Sequence, residues 1–398
     1  MSFAYKKIPL ILLAGLLTAC SGSFDELLFS LTPHPQEPKE RPYITKPVEF
    51  TNPRDGTQLS GELTYPRSGS HFPAFVLISG HEDGAPPADK NYHITGHKYF
   101  LVISDLLTKH GYAVLRYDNR GVGESSGDYT TASDRDFASD AAAALQWLRK
   151  DSGIKLSSSG FLGHSQGGVK ALMAEAHERP DYIVSLAGLD VETSKEFLVR
   201  QNQKILSAQS VDPSTIERIT QELAATMDIL KAAENINDAK LRLREYAVNS
   251  GVTEDDKIQK FIDHFATNWW FEEVRLDDTV LLKSYNGPVL SLYGSKDLLV
   301  SASINEEPVR KLLTHQDSEV HTMHGLNHLF QTADKGGPNE YWEIETTIEE
   351  KAIEKIDLWT RRINQRNVKK DRENSELEQK WIHTSKNSGN SELITSIN

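Results

Sequence analysis

Residues 163–167 read Gly-His-Ser-Gln-Gly, following a short apolar run at 160–163 and preceding a stretch of helical composition that begins near Gly168. No other feature restricts the fold as much. A serine flanked by glycines two places away on either side suits a sharp strand-to-helix turn, because side chains at those positions would collide with the neighbouring strand and helix. Such a turn holds the serine on a strained backbone with its hydroxyl above the sheet. The N-terminus of the following helix then turns its positive end toward any oxyanion formed there.

The rest of the chain supplies the sheet such a turn requires. Apolar runs at 74–79, 113–117, 160–163, 183–187, 289–293 and 319–323 alternate with helical patterns, the signature of βαβ units and a mostly parallel sheet. The clearest helix spans 134–150. There Phe137, Ala141, Ala144, Leu145 and Leu148 recur at intervals of three and four, with acids in the first turn and Arg149-Lys150 in the last.

The alternation lapses between about 189 and 285, where polar helical periodicity dominates around 216–233 and 256–265. This reads as an inserted helical cap. Trp269-Trp270-Phe271 near its end suits either core packing or the wall of an acyl pocket. The expected organisation is a leader at 1–19, a proline-rich tether at 20–47, a first core part at 48–188, the cap at 189–285, a second core part at 286–366, and a polar tail at 367–398.

If Ser165 is a nucleophile, it needs a base and a group to orient that base. Asp297 follows the run at 289–293, and His328 follows the last predicted strand, so chain order is serine, acid, histidine. His324 is a rival for the base. An oxyanion needs backbone N–H donors, and Gln166, next after the serine, and His81, after the run at 74–79, stand in the expected places. His93 and His97 are spaced to share a helical face, but no companion metal-ligand pattern accompanies them, so they read as a surface pair. Gly121-x-Gly123 after Arg120 reads as a turn rather than a phosphate loop.

The first twenty residues carry Lys6-Lys7, an apolar run at 8–17 and then Thr18-Ala19-Cys20, the layout of an export signal whose greasy segment is too short to span a bilayer. Leu17-Thr18-Ala19-Cys20 resembles a bacterial lipobox. That resemblance implies cleavage before Cys20, lipid on its sulfur and attachment to a membrane, with Ser21 favouring the outer membrane in a diderm bacterium. Cys20 is the single cysteine, so no disulfide can form within the chain. The net charge of −13 argues against a nucleic-acid partner.

Taken with the elbow, three further phrases carry a family likeness: residues 77–80, Leu-Ile-Ser-Gly; residues 116–125, Arg-Tyr-Asp-Asn-Arg-Gly-Val-Gly-Glu-Ser; and residues 325–331, Gly-Leu-Asn-His-Leu-Phe-Gln. They resemble bacterial carboxylesterases of the prolyl-oligopeptidase-like α/β hydrolases over roughly residues 48–365. The resemblance implies an α/β-hydrolase fold with a helical cap and cleavage of short-chain esters, a small-molecule substrate, without metal or cofactor. The chain departs from it at Leu189-Asp190-Val191, where relatives often turn with Pro-Gly, and in the long charged segment 80–91. A peptidase is the competing activity, although no propeller repeat accompanies the core. A non-catalytic protein on the same fold is the third reading.

Overall fold

The computed structural model describes residues 33–81 and 88–366. The leader, Cys20 and the polar tail expected at 367–398 lie outside the described residues. Ten strands are present in this part of the chain: β1 (Ile44–Thr51), β2 (Gln58–Tyr65), β3 (Phe72–Ile78), β4 (His93–Ile94), β5 (His97–Lys98), β6 (Ala113–Tyr117), β7 (Leu156–His164), β8 (Ile183–Leu186), β9 (Val289–Gly294) and β10 (Glu319–Met323). Eight form one sheet in the order β1-β2-β6-β3-β7-β8-β9-β10. From β6 to β10 every pairing is parallel, while β1–β2 and β2–β6 are antiparallel.

Period-two alternation sends the central strands into two separate apolar cores. Ala74, Val76 and Ile78 of β3 enter one, and Phe75 and Leu77 enter the other. The first core is closed by helices α2 (Asp134–Lys150) and α3 (Gly167–Ala174). The second is closed by α1 (Tyr99–Lys109) and the helix at 350–366, which contributes Ala352, Ile356 and Trp359. The result is a three-layer α/β-hydrolase fold with helices on both faces of a mostly parallel sheet.

Helix α2 shows why this sequence is helical here. Ser133 precedes it, and the Asp136 carboxylate accepts from the Ser133 backbone N–H at 3.0 Å, satisfying a donor that the helix start leaves open. Arg149 and Lys150 complement the C-terminal dipole, and Phe137, Ala141, Ala144, Leu145 and Leu148 are all buried.

Between β8 and β9 the chain makes a wholly helical excursion: α4 (Ser194–Ala208), α5 (Pro213–Ala232), α6 (Ile236–Asn249), α7 (Asp255–Phe265), α8 (Asn268–Glu273) and α9 (Asp278–Ser284). Met227, Leu230, Leu243, Phe261, Phe265 and Trp270 belong to its own apolar cluster, distinct from the two cores of the sheet.

Three sequence expectations need correction. Strand β1 begins at Ile44, ahead of the boundary set at 48, and residues before it are also held: Tyr43 donates to Asp105 at 2.8 Å and Gln36 accepts from the Thr347 amide at 2.7 Å. Strands β1 and β2 went unread because their pairing is antiparallel, because Lys46, Glu49 and Thr51 of β1 face outward while β2 buries Ser60 and Thr64 among its apolar residues, and because Pro47 is tolerated on an edge strand. His93 and His97 are neither helical nor a surface pair. They sit on the β4–β5 hairpin, and His97 is fully buried against Thr347 and the Tyr341 carbonyl.

Candidate active site

Strand β7 delivers Ser165 to the top of the sheet, and α3 begins two residues later. Ser165 has φ +53°, a left-handed conformation that an L-residue adopts only under strain, and its N–H donates to the Leu186 carbonyl at 2.9 Å. The flanking glycines are sterically required. A methyl group at Gly163 would strike the Gly167 carbonyl, and one at Gly167 would strike the Ile78 carbonyl.

Asp297 lies just beyond β9. Its Oδ1 accepts from the amides of Leu299 at 2.7 Å and Val300 at 3.0 Å, which fixes the carboxylate, and its Oδ2 accepts from His328 Nδ1 at 2.8 Å. Both residues are buried, at 5% and 4% exposure, so their pairing is shielded from solvent. With Nδ1 donating to Asp297, Nε2 of His328 is left as the basic nitrogen of the neutral ring. His324, the rival, is exposed. Asn327 holds the His328 loop by accepting from the Leu329 and Gln331 amides at 3.0 and 2.9 Å.

The wildcard positions of the elbow, His164 and Gln166, also make specific contacts. His164 is buried on β7; its Nε2 donates to the His328 carbonyl at 3.0 Å, so Nδ1 is the acceptor, 3.3 Å from the Tyr92 hydroxyl. Tyr92 in turn accepts from the Gly80 amide at 3.1 Å. This chain ties the loop after β3, the elbow and the His328 loop together. Burial holds the His164 ring far below the ordinary histidine range, so it remains neutral.

The Gln166 side chain donates to Asp134 at 3.0 Å and to Glu273 of the cap at 3.1 Å, joining the elbow to α2 and to α8. The His81 ring stacks on Trp269 with centroids 3.5 Å apart. Both readings of the tryptophan pair hold: Trp270 is buried in the cap core, Trp269 packs against it, and both line the cavity beside the serine.

Lys170 was not singled out from the sequence. It is 2% exposed, its Nζ donates to the Gly80 carbonyl at 3.0 Å and the Ser79 carbonyl at 3.3 Å, and it lies 3.6 Å from Asp134. In a trans peptide the carbonyl and the next N–H point in opposite directions, so holding Gly80 O fixes the direction of the His81 N–H. One charged residue in the otherwise apolar run 167–174 was the available signal. Tyr92 offered none.

A cavity of about 450 Å³ lies between the elbow and the cap, lined by Ser165, Phe197, Leu223, Phe265 and Trp269 among others. Among the described residues no group of three or more His, Cys, Asp or Glu is arranged to hold a metal ion, and no helix is long and apolar enough to cross a membrane.

Sheet order, elbow and buried acid–histidine pair define a member of the α/β-hydrolase class. Within that class the chain belongs to the X-Pro dipeptidyl-peptidase (S15) family, whose sequence model matches residues 55–312. It is similar to the esterase EstD of Thermotoga maritima, with 22% identity over 302 residues that cover 76% of this chain and 65% of that protein's length. Among solved structures it resembles DcsB in complex with a substrate analogue, at TM-score 0.50 and 15% identity over 81% of this chain and 99% of the other. The esterase Pf2001 of Pyrococcus furiosus superposes with TM-score 0.45 and 17% identity over 71% of this chain and 82% of its own.

Proposed function

We propose that the protein is an exported, lipid-anchored serine hydrolase that cleaves carboxylic esters with short acyl chains. The observation that carries the catalytic part is the 2.8 Å bond between Asp297 and His328 in a fold that presents Ser165 on a strained elbow.

In this reading the Ser165 hydroxyl attacks the ester carbonyl carbon while His328 Nε2 takes its proton, and Asp297 stabilises the imidazolium. The backbone N–H groups of Gln166 and His81 receive the developing oxyanion. Collapse of the tetrahedral adduct breaks the bond to the alcohol, which leaves with the proton from His328 and an acyl group on Ser165. Water, deprotonated by His328, then attacks the acyl-serine and frees the acid. Phe197, Leu223, Phe265 and Trp269 on the cavity lining suit an acyl chain of modest length, and no step calls on a cofactor.

Hydrolysis of a p-nitrophenyl ester series from acetate to palmitate tests this, with Ser165→Ala alongside. Serine-dependent turnover that peaks at short chains is expected. The family name favours a second reading, cleavage of X-Pro peptides, and release of p-nitroaniline from X-Pro anilides without ester hydrolysis would replace the first.

The lipid anchor rests on Cys20 and the apolar run before it. Two or more acyl chains would make attachment stable, since each buried methylene adds about 0.8 kcal/mol. Cys20→Ser is expected to move the protein from the membrane fraction to the soluble one with its catalysis intact, and a variant that stays with the membrane would refute the anchor.

A further inference from the structure

The two oxyanion donors are not equally constrained by the backbone around them. Gln166 lies between the strained serine and helix α3, so the turn itself directs its N–H. His81 follows Gly80, and a glycine leaves the torsions beside it soft. The Gly80–His81 peptide plane can then swing by counter-rotation about the Gly80 ψ and the His81 φ, carrying the N–H with it. Lys170 holds one end of that plane through the Gly80 carbonyl at 3.0 Å, but an ammonium on a flexible four-carbon stem can follow a moving oxygen.

The second restraint comes from the cap. The ring of His81 lies on the ring of Trp269 with centroids 3.5 Å apart and planes 5° from parallel. A ring held there fixes the His81 Cβ, and with Cβ fixed the rotation about φ is blocked. Trp269 is itself anchored, because Trp270 meets it edge-on with centroids 4.6 Å apart and is buried in the cap core. Helix α8, which carries both rings, is registered on the elbow and its surroundings. Glu273 accepts from the Gln166 side chain at 3.1 Å, the Ser194 hydroxyl donates to the Glu273 carbonyl at 2.8 Å, and the Asn268 side chain donates to the Thr131 carbonyl at 2.9 Å. The platform under His81 therefore has a set position relative to Ser165.

We propose that Trp269 is a positioning residue for catalysis: through the stacked His81 ring it aims the His81 N–H at the oxyanion, so that the cap completes the oxyanion hole as well as walling the cavity. The proposal rests on the reading of His81 as an oxyanion donor to the Ser165 adduct.

The test is a double-mutant cycle on the full chain in detergent. Trp269→Leu keeps an apolar wall and removes the stacking face, whereas His81→Ala keeps the amide and removes the ring. The readouts are steady-state hydrolysis of p-nitrophenyl acetate and the rate at which a fluorophosphonate labels Ser165. Losing an oxyanion donor outright costs about 10²–10³ in kcat, so a donor that is loosened is expected to cost roughly tenfold to a hundredfold in each single variant. KM should change by less than about threefold, and labelling should slow with kcat. The double variant should be no slower than the slower single one, because the two residues act as a unit. Trp269→Phe, which retains a stacking ring, should recover most of the loss. A raised KM with unchanged kcat in Trp269→Leu would make that residue a cavity wall only and overturn the proposal, as would losses that multiply in the double variant. His81→Ala leaves the cap interior untouched, so its labelling rate decides the matter even if Trp269→Leu does not fold, and a rate equal to the parent's would refute the coupling. If the parent cleaves no ester while Ser165 is still labelled, the esterase reading fails and the labelling rates judge the proposal alone. If Ser165 resists labelling, the oxyanion assignment falls and the proposal with it.

Discussion

Nε2 of His164 donates to the main-chain carbonyl of His328 at 3.0 Å, so the residue before Ser165 holds the backbone of the histidine that pairs with Asp297. The two rings stand 4.9 Å apart. His164→Ala removes that tether without touching the reacting atoms. Small displacements of a catalytic group are expensive, and a fall in kcat of roughly tenfold to a hundredfold with little change in KM is expected. Steady-state kinetics on a short p-nitrophenyl ester measure it, and an equal change in KM would reassign His164 to substrate binding.

Asp297→Asn is expected to lower kcat by about 10⁴, the cost of presenting the wrong histidine tautomer to the serine. An amide can still occupy the loop after β9, so the melting temperature should change far less than the rate. Burst-phase kinetics would locate the loss in acylation.

For Lys170→Met we expect a decrease in kcat of up to roughly a hundredfold, because the Gly80–His81 peptide is no longer held in one orientation. The readout that separates this from mere instability is the affinity for a boronic-acid transition-state analogue, which should fall with kcat while KM holds. Lys170→Arg should restore part of both.

Stability should narrow from both ends of the pH scale. His164 is held below its ordinary value of 6.5, so the unfolded chain takes a proton there that the folded one refuses. That contribution is present above 6.5 and is lost as pH falls. Glu273 is raised from 4.5 to about 8, so its contribution is present below 4.5 and is lost as pH climbs toward 8. Thermal melts of Glu273→Gln should show a smaller drop between pH 5 and pH 8 than the parent protein, and parallel curves would contradict the assignment.

The sequence revealed those parts of the molecule whose physics is local. Gly163 is dictated by the backbone of Gly167 and Gly168 in the same turn, and so the elbow was readable, although Gly167 is set by Ile78 on the neighbouring strand β3. Central strands were readable because burial on both faces makes them continuously apolar. Strand β1 is exposed at Lys46, Pro47, Glu49 and Thr51, and the largely buried β2 mixes Ser60, Gly61, Glu62 and Thr64 among its apolar residues, so no apolar run marks them. The contacts of His97 and Lys170 join residues far apart in the chain: His97 meets Thr347, and Lys170 meets Gly80. Spacing along a sequence carries no trace of such partners until the sheet has brought them together. The stack of His81 on Trp269 was hidden for the same reason, since His81 follows β3 whereas Trp269 belongs to the far end of the cap.

The cap leaves the sheet after β8 and returns at β9, and these two strands are hydrogen-bonded neighbours. Entry and exit therefore lie side by side, and the excursion closes like a stitch. A substitute of different length, sequence or helix number needs only to span the same short gap, because the alignment of Val184 with Leu290 is set by the strands themselves. Most of the excursion packs on its own apolar interior, and Leu282 of α9 ties it to the first core of the sheet. Recombination or design could exchange it to change what enters the cavity, while the serine, histidine and aspartate stay on the scaffold beneath.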